Sequence, residues 1–373
     1  MKKLKVLFVK HDGVLKANRR YLEIIAERTD WELHLIAPEY WYEPSFRKQF
    51  PFEDSSDNLQ KHPIPAVFFR HPIFFKYNTD KFRDCVSKIA PDIVFISNDP
   101  YAISSYQAVR YNFGRKIIIY GIQNIKKFIP FPFSYIYNYN LKHADFFFGC
   151  NLATLEINKQ RGFSGPLEYL PIGIDKNSFK RKDNFNLSDP PNIGFVGRVE
   201  DIKGIKYLVQ ALNQMRRPVA FTVIGRGSLE NWIKKNTGSN VILSFKSFIP
   251  HEEMGDEYLK LDILAVPSVT VWRWKEQFGR VITEGMAGGV PVLGTDSGAI
   301  PDVIGDAGVI VEERNPGALA RGLEKILNDE KFRSELIQKG FERVEKNFFW
   351  ESIADRVIKV IKELALQNSE FHK

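Results

Sequence analysis

Short runs of consecutive apolar residues alternate with helical patterns along most of the chain. In the first half the runs are KVLFV, ELHLIA, DIVFIS, KIIIY and DFFFG, and after Pro190 they are NIGFVG, VAFTVIG, VILSF, DILAV, PVLGT and GVIV. Because these runs are continuous rather than alternating, they favour parallel strands that are buried on both faces. The helices between them imply right-handed βαβ units, so the two series predict an α/β protein with two Rossmann-like domains.

The break between the two series indicates a domain boundary. The stretch from Lys176 to Pro191 is polar, charged and ends in two prolines, as interdomain linkers often do. We therefore expect a first domain over residues 1–175, a linker over 176–191 and a second domain over 192–349. An ordinary surface loop is compatible with the same boundary.

Two segments do not follow this alternation of strands and helices. Residues Tyr40–Tyr77 and Lys126–Tyr139 are rich in aromatic and basic residues with weak periodicity, and we expect loops or short helices of the first domain there. Residues Trp350–Leu364 place their apolar residues along one helical stripe, which predicts a helix.

Composition narrows the class of protein. A chain of 373 residues suits two domains, and its 44% hydrophobic and 26% charged residues are ordinary for a soluble globular protein. The two cysteines, Cys85 and Cys150, lack metal-ligand spacing, so we expect buried thiols in a reducing compartment.

The lysine-rich start resembles a signal peptide, but its apolar run is short and we expect a buried first strand there. No apolar run is long enough to cross a membrane.

The net charge of +8 suits three kinds of partner, namely nucleic acid, an anionic membrane surface or a phosphate-bearing substrate. No zinc-finger, RNP-type or basic-zipper pattern occurs, so we expect no nucleic acid. Basic and aromatic residues interleave at Phe46–Lys48, Phe68–Arg70, Phe74–Lys76 and Lys126–Tyr139. Core aromatics with solvated charges explain this pattern, and so does docking on an anionic bilayer.

The stretch KEQFGRVITEGMAGG carries the first candidate site. A helix that begins near Gly279 and ends at Gly288 would present unpaired N–H groups to an anion at its start. Glu276 precedes that helix and Glu284 lies one turn inside it, so the two carboxylates can accept hydrogen bonds from hydroxyls on either side of a bound phosphate. Alternatively, Glu284 forms a surface ion pair with Arg280 four residues earlier.

A second motif, NIGFVGRVEDIKG, places Arg198 and Lys203 between a strand and a helix start. Cations are unfavourable at a helix N-terminus unless an anion lies between them. Arginine offers a bidentate fork to a phosphate, and lysine offers a mobile point charge. Neutralisation by Glu200 and Asp201 in solvent is the equally weighted alternative.

A third motif, AFTVIGRGSLENW, resembles half of a dinucleotide fingerprint. Gly225 and Gly227 follow a strand, but Glu230 stands where the third glycine belongs. We favour a tight strand-to-helix turn whose backbone touches a nucleotide, rather than NAD binding.

Together these motifs resemble the retaining glycosyltransferases of family 4, most closely from Asn192 to Val311 and again at PIGIDKNSF (Pro171–Phe179). The resemblance implies the GT-B fold, in which two Rossmann-like domains face each other across a cleft. It also implies that residues 350–373 cross back to the acceptor-side first domain, while residues 192–349 bind the nucleotide sugar.

The resemblance also implies roles for individual residues. Glu276 would contact the donor sugar and Glu284 the ribose, and Arg198 and Lys203 would bind the diphosphate. The backbone amides near the sugar and phosphate would be those of Gln277, Phe278 and Gly279. Gly225, Gly227 and Gly13 are further donor-side candidates. Because the cations and amides can neutralise the diphosphate, we expect neither a metal ion nor a cofactor.

The first domain departs from the family pattern. A single glycine, Gly13, follows the first strand where a glycine-rich loop is usual, and Asp12 next to it is an acceptor-side candidate. Gln123 and Asn124 stand where the family often has a His-Asp pair. This fits chemistry without a protein base, in which a phosphate oxygen of the leaving group takes the acceptor proton.

We therefore expect a retaining, metal-independent glycosyltransferase that moves a hexose-type sugar from a UDP- or GDP-type donor to a glycan, lipid-linked or small-molecule acceptor. The alternatives are a sugar-nucleotide epimerase or phosphorylase on the same fold, and a non-catalytic sugar- or lipid-binding protein. We expect a cytoplasmic protein, with peripheral attachment to the inner face of the membrane as an option.

Overall fold

The structure is a computed structural model that describes residues 3–43, 48–54, 58–112, 114–182, 184–247 and 249–370. The chain divides into two units. The first unit comprises residues 1–171 and 350–373, and the second comprises residues 172–349. Residues 350–373 thus belong to the first unit.

The predicted linker, residues 176–191, lies within the second unit. Its polar sequence contains Phe179, whose ring lies 5.9 Å from that of Tyr258. The backbone N–H of Ser188 donates to the carboxylate of Asp262 at 3.1 Å. These contacts join the stretch to the second unit, and the boundary falls at Pro171 instead.

A seven-stranded parallel sheet forms the centre of the first unit. Its order is β11-β10-β9-β8-β1-β2-β5. The strands are β1 (Lys5–Lys10), β2 (Glu32–Pro38), β5 (Gln60–Ile64), β8 (Ile93–Ser97), β9 (Lys116–Gly121), β10 (Phe146–Gly149) and β11 (Leu167–Tyr169). The five apolar runs of the first half correspond to β1, β2, β8, β9 and β10. Five of the six residues of β1 and all five of β8 are buried, as continuous apolar runs predict.

The prediction of loops or short helices over residues 40–77 was wrong. This region contains β5 and two small antiparallel pairs, β3 (Tyr40–Glu43) with β4 (Lys48–Pro51) and β6 (Ala66–Val67) with β7 (Lys76–Tyr77). Within the described residues, β5 pairs only with β2, so it forms an edge of the sheet and needs no apolar run on both faces. Pro63 lies within β5, which an edge position tolerates.

Six helices belong to the first unit among the described residues: α1 (Arg20–Arg28), α2 (Thr79–Ile89), α3 (Ile103–Arg110), α4 (Phe133–His143), α5 (Leu152–Gln160) and α13 (Trp350–Glu370). The predicted C-terminal helix is confirmed as α13, and its stripe residues Ile353, Val357 and Ile361 are buried in the first core. The Trp350 ring stacks on Tyr21 of α1 with centroids 5.8 Å apart.

The second unit contains a six-stranded parallel sheet in the order β14-β13-β12-β15-β16-β17. Its strands are β12 (Asn192–Val196), β13 (Val219–Ile224), β14 (Val241–Lys246), β15 (Ile263–Val266), β16 (Val292–Thr295) and β17 (Gly308–Val311). All six predicted apolar runs are confirmed. The order reverses between β12 and β15, and ligands of such sheets bind outside the carboxyl ends of the strands at this point.

The helices of the second unit are α6 (Ile205–Gln214), α7 (Glu230–Asn236), α8 (Met254–Tyr258), α9 (Arg280–Ala287), α10 (Ile300–Ile304), α11 (Pro316–Asn328) and α12 (Glu330–Asn347). They cover the sheet over two apolar clusters, in which Phe221, Leu293 and Ile304 are fully buried. None of the helices in the described part of the chain combines the length and hydropathy that a bilayer crossing requires.

Candidate functional site

The EQFG motif forms the turn that leads into α9. α9 begins at Arg280 directly after Gly279 and ends before Gly288, as predicted. Gly279 has a φ of 79°, a left-handed conformation that favours glycine. The side chain of Phe278 is 3% exposed and packs edge-on against Phe348 at 5.9 Å. Phe278 therefore anchors the turn in the core, and only its backbone remains available to a ligand.

The turn between β16 and α10 supports the backbone of Glu276. The N–H of Ala299 donates to the carbonyl oxygen of Glu276 at 2.9 Å. A Cβ atom on Gly298 would overlap that same carbonyl, so only glycine allows the approach. The loop between β16 and α10 thus fixes the position of Glu276.

Lys203 and Glu276 form the central contact of the site. The Lys203 Nζ atom lies 2.6 Å from Oε2 of Glu276, and Ser268 Oγ donates to the same oxygen at 2.9 Å. Glu276 is 7% exposed, and the Lys203 ammonium lies 4.8 Å from the centre of the Trp274 ring. Two motifs separated by 73 residues in sequence therefore meet through their charged side chains.

The second glutamate of the motif is also buried. Glu284 is 4% exposed, and Tyr258 Oη donates to its Oε2 at 2.7 Å. Its Oε1 lies 3.0 Å from Nε of Arg280, so the ion pair considered from the sequence exists, although Glu284 does not lie at the surface. Burial raises the pKa of Tyr258 well above its usual value, and the Glu284 carboxylate raises it further. The phenol remains a donor to Glu284.

Arg198 lies at the exposed end of the same loop as Lys203. Its guanidinium contacts Glu200 at 2.8 Å, and its side chain is 49% exposed. The structure thus brings Lys203 to Glu276, whereas Arg198 pairs with the neighbouring acid that the sequence alternative named.

The GRG turn packs against this loop. A Cβ on Gly225 would overlap the carbonyl of Gly197, and a Cβ on Gly227 would overlap that of Val199. The Val199 N–H donates to the carbonyl of Arg226 at 2.9 Å. Gly225 and Gly227 therefore allow two backbones to meet, and this contact positions the loop that carries Arg198 and Lys203.

The acceptor-side candidates of the first unit lie near the carboxyl ends of its strands. Asp12 lies in a short 3₁₀ turn after β1 and contacts the Lys10 ammonium at 2.7 Å. Burial acts to raise the pKa of Asp12, but the charges of Lys10 and His11 outweigh it and hold the pKa below its ordinary value. The neighbouring Gly13, the donor-side candidate of this unit, is buried, with ordinary contact distances around an added Cβ.

Gln123 and Asn124 belong to the loop after β9. Gln123 Oε1 accepts a hydrogen bond from Tyr101 Oη at 2.9 Å, and its Nε2 donates to the carbonyl of Ile125 at 2.9 Å. Asn124 is 2% exposed. The Gln123 side chain thus holds its own loop.

Asp99 is a candidate that the sequence analysis missed. Its Oδ1 accepts from the backbone N–H groups of Ile122 at 2.9 Å and Gln123 at 3.1 Å. Burial raises the pKa of Asp99, although these two N–H groups act in the opposite direction. The signal in the sequence is an acid two residues after the end of β8. Lys10, Ser268 and Trp274 were also missed, because their contacts with Asp12, Glu276 and Lys203 become visible only in the folded chain.

Within the described residues, no cluster of three or more His, Cys, Asp or Glu side chains could hold a metal ion.

Comparison with known proteins relates the second unit to a described family. The sequence model of the family described as Glycosyl transferases group 1 matches residues 176–343. The capsular polysaccharide biosynthesis glycosyltransferase CapM of Staphylococcus aureus is 31% identical over 218 residues, which are 54% of this chain and 55% of CapM. The chain spans about half the length of the curated relatives it matches.

Solved structures match over nearly the whole chain. A sucrose-phosphate synthase from Thermosynechococcus elongatus has a TM-score of 0.73 at 18% identity, covering 98% of this chain and 100% of that one. The Anabaena protein HepE in complex with UDP has a TM-score of 0.71 at 15% identity, covering 96% of this chain and 100% of that one. At these identities the likeness shows the fold. The chain has the GT-B fold, and most of its second unit matches the sequence model of the glycosyltransferases of group 1.

Proposed function

We propose that this chain transfers a hexose-type sugar from a nucleoside diphosphate sugar to an acceptor hydroxyl and retains the anomeric configuration. The observation that carries the proposal is the contact between Lys203 and Glu276, directly before the first turn of α9. A cation, a carboxylate and helix N–H groups at one edge of a sheet suit a ligand that joins hydroxyls to a diphosphate. A nucleotide sugar has this chemistry.

The leaving diphosphate needs positive charge around it. Lys203 is half-buried and held by Glu276, while Arg198 is exposed and held by Glu200. Each cation can turn from its carboxylate towards a phosphate oxygen, because charge-assisted contacts to phosphate are as strong as those to carboxylate. With the N–H groups at the start of α9, these two cations supply the neutralisation, so the proposal includes neither a metal ion nor a cofactor.

The transfer step breaks the bond between the anomeric carbon and the diphosphate oxygen and forms a bond to the acceptor oxygen on the same face. The electron pair of the broken bond stays with the diphosphate, and a phosphate oxygen takes the acceptor proton. Glu276 would hold a sugar hydroxyl and stabilise the positive charge that develops on the ring. The neutral side chains of Gln123 and Asn124 fit a mechanism without a protein base.

Glu284 would bind the ribose hydroxyls of the donor. Its two oxygens are oriented by Tyr258 and Arg280, one on each. A carboxylate held in this way is preorganised, so little side-chain entropy is lost when it accepts a hydrogen bond from a hydroxyl. Because the ribose does not change during the reaction, Glu284 would contribute to donor binding rather than to the chemical step.

The relatives and the net charge of the chain support our proposals for its donor, its acceptor and its location. CapM is named for capsular polysaccharide biosynthesis, and HepE was solved with UDP. These names support a UDP-type donor and a glycan acceptor, and we extend the proposal to a GDP-type donor and to lipid-linked or small-molecule acceptors. We propose a cytoplasmic protein that attaches peripherally to the inner face of a membrane.

The test is incubation of the purified chain with a panel of UDP-sugars and GDP-sugars, with and without candidate acceptors. Release of the nucleoside diphosphate from one donor, faster with an acceptor, is the expected result. Proton NMR of the fresh product should show the donor's anomeric configuration. An inverted product would contradict the retaining assignment.

The same panel separates the alternatives. An epimerase would convert the donor into another nucleotide sugar without releasing the diphosphate. A phosphorylase would require inorganic phosphate, and a binding protein would bind a sugar without turnover. Glu257→Gln is a matched control for Glu276→Gln, because Glu257 is also buried and pairs with Lys246 and Lys260 in the same unit. Activity should survive the Glu257 change and fall with the Glu276 change.

A further inference from the structure

Two long segments of the first unit contain no acidic residue. The chain has 45 Asp and Glu among its 373 residues, but none occurs from residue 58 to residue 79 or from residue 100 to residue 144. The whole first unit is also basic: Lys and Arg outnumber Asp and Glu by seven there and by one in the second unit. Nearly all of the net charge of +8 therefore belongs to the first unit.

The two segments meet in the folded chain. The N–H of Ile103 donates to the carbonyl of Ile73 at 2.9 Å. The Phe74 ring packs edge-on against Phe133, the first residue of α4, with centroids 5.4 Å apart. His71 lies near Lys127, and partial burial together with that charge lowers the pKa of its imidazole. Residues 66–76 and 126–143 thus form one continuous region, which we call the acid-free surface.

Large aromatic rings protrude from this surface. The exposed fractions are 71% for Phe68, 43% for Phe74, 90% for Phe128, 82% for Phe131 and 54% for Tyr135. Every phenylalanine among the exposed large hydrophobic residues of the described chain lies here. Single exposed apolar residues are normal, but a cluster of this kind marks an interaction site.

Basic side chains accompany the rings. The exposed cations of the acid-free surface are Arg70, Lys76, Lys126, Lys127 and Lys142. Lys126 donates to the neutral amide of Gln160 at 2.9 Å, and the Lys127 ammonium lies 5.2 Å from the Tyr101 ring. Within the described residues, no ion pair joins any of the five to a carboxylate. The surface thus combines uncompensated positive charge with exposed apolar rings.

We propose that the acid-free surface docks on an anionic lipid bilayer. Aromatic rings enter the boundary between headgroups and acyl chains, while lysines remain with the lipid phosphates, so the two kinds of residue bind one partner together. The positive charge would also attract a nucleic acid. Its bases, however, would have to be positioned one by one over phenyl rings that lie on separate turns of the chain. The inference rests on the proposed function only for its purpose, which is to bring the enzyme to a lipid-linked acceptor.

The test is flotation of the full chain with vesicles of phosphatidylcholine alone or mixed with phosphatidylglycerol. We expect binding to the anionic vesicles at low salt, weaker binding at high salt because the charges are screened, and little binding to the neutral vesicles. Equal recovery with both kinds of vesicle, or none with either at low salt, would overturn the proposal. Tighter binding to a single-stranded RNA than to anionic vesicles would overturn it in favour of a nucleic-acid partner.

Variants assign the binding to this surface. Lys126→Glu with Lys127→Glu should weaken anionic vesicle binding by more than about twentyfold, since each lysine near an anionic surface contributes about fivefold. Phe128→Ser with Phe131→Ser should weaken it at similar charge, because both rings are exposed and the fold does not depend on them. Unchanged binding by both double variants would refute the assignment to this surface.

Matched controls come from the second unit. Ile242 is 60% exposed on β14, and Lys331 is exposed on α12. Ile242→Ser and Lys331→Glu should leave vesicle binding unchanged, and a loss comparable to that of the surface variants would contradict the proposal. Donor hydrolysis by the same preparations is a separate measurement. The vesicle result can therefore fail while the transferase proposal stands, and the reverse also holds.

Discussion

The two units carry their acidic residues at the carboxyl ends of similar parallel sheets but use them differently. In the second unit the carboxylate of Glu276 meets the mobile ammonium of Lys203. In the first unit the carboxylate of Asp99 accepts from the backbone N–H groups of Ile122 and Gln123. A side-chain partner can turn to another anion, whereas backbone N–H groups cannot leave the loop they belong to. Under the proposed function, the charged pair of the second unit is thus free to bind a ligand, whereas Asp99 of the first unit holds a loop.

Net charge follows the opposite distribution. The second unit is nearly neutral, although its charged side chains form the candidate site, while the first unit holds nearly all of the net positive charge. Paired charges suit recognition of a specific ligand, and unpaired charges on a surface suit an extended anionic partner. The two proposals together place the sugar transfer in the second unit and the membrane contact in the first.

The largest expected effect tests whether the buried Phe278 ring anchors the turn before α9 in the second unit. Phe278→Ala should lower the free energy of unfolding by about 3–5 kcal/mol, because a fully buried ring leaves a cavity. Denaturant unfolding measures it. Phe128→Ala in the first unit, where the ring is 90% exposed, should change stability by less than about 0.5 kcal/mol. Similar losses for the two variants would contradict the burial described for Phe278.

The next effect concerns the two glutamates of the second unit. Glu276→Gln should lower kcat by about 10²–10³-fold, as removal of a group that stabilises transition-state charge does. Glu284→Gln should mainly raise the KM for the donor, since the ribose hydroxyls do not change during the reaction. Steady-state kinetics on both variants measures the difference. A normal kcat for Glu276→Gln would remove the role proposed for that carboxylate.

A smaller effect concerns the cations. Arg198→Ala and Lys203→Ala should each weaken binding of a nucleoside diphosphate by roughly 1.5–3 kcal/mol, the value of a charge-assisted contact, and leave binding of the nucleoside unchanged. Titration calorimetry with both ligands measures the difference. Equal losses for diphosphate and nucleoside would show that these side chains do not meet phosphate. Binding of the donor phosphate by the first unit would contradict the assignment of the donor site to the second unit.

The smallest effect is a pH dependence of stability in the first unit. His34 Nδ1 lies 3.0 Å from Nε2 of His62, and burial lowers the pKa of both imidazoles below the ordinary value of 6.5. The Glu32 carboxylate opposes this shift at His34, and Lys5 adds to it. The unfolded chain therefore takes up protons first, so the stability present above pH 6.5 is lost as the pH falls towards the folded pKa.

Thermal unfolding between pH 7.5 and pH 5.5 measures this dependence. His62→Gln should flatten the profile, because it removes one titrating ring of the pair. His143→Gln is the control, since His143 is exposed and lies outside the pair. An unchanged slope in the His62 variant would show that the pair does not titrate on unfolding.

Sequence patterns predicted the regular part of the fold because burial on both faces leaves a mark in the sequence. All eleven apolar runs became strands of the two parallel sheets. β5 escaped prediction because an edge strand with one neighbour needs no such run, and Pro63 inside it argues against a central strand. The interleaved stretch at Phe46 and Arg47 lies outside the described residues, so that prediction stays open.

The candidate site could be predicted where its chemistry is local. The turn before α9 follows from Gly279 and the glutamates around it, which a single stretch of sequence contains. The contact of Lys203 with Glu276 and the approach of Gly225 to Gly197 depend on how strands β12, β13 and β15 lie side by side. Short-range patterns carry no such information, and for the same reason they could not predict the backbone partners of Asp99, which lie 23 and 24 residues later in the chain.

The discontinuous first unit has a consequence for biosynthesis. The first core contains residues of β1 and also Ile353, Val357 and Ile361 of α13. The first unit is therefore incomplete until residue 361 has been synthesised, although its synthesis begins first. Residues 172–349 form all of the second unit and leave the ribosome earlier. Domains usually fold in the order of their synthesis. Here the first unit would complete its folding after the second. Until then, apolar residues of α1 would stay exposed unless a chaperone or α13 covers them.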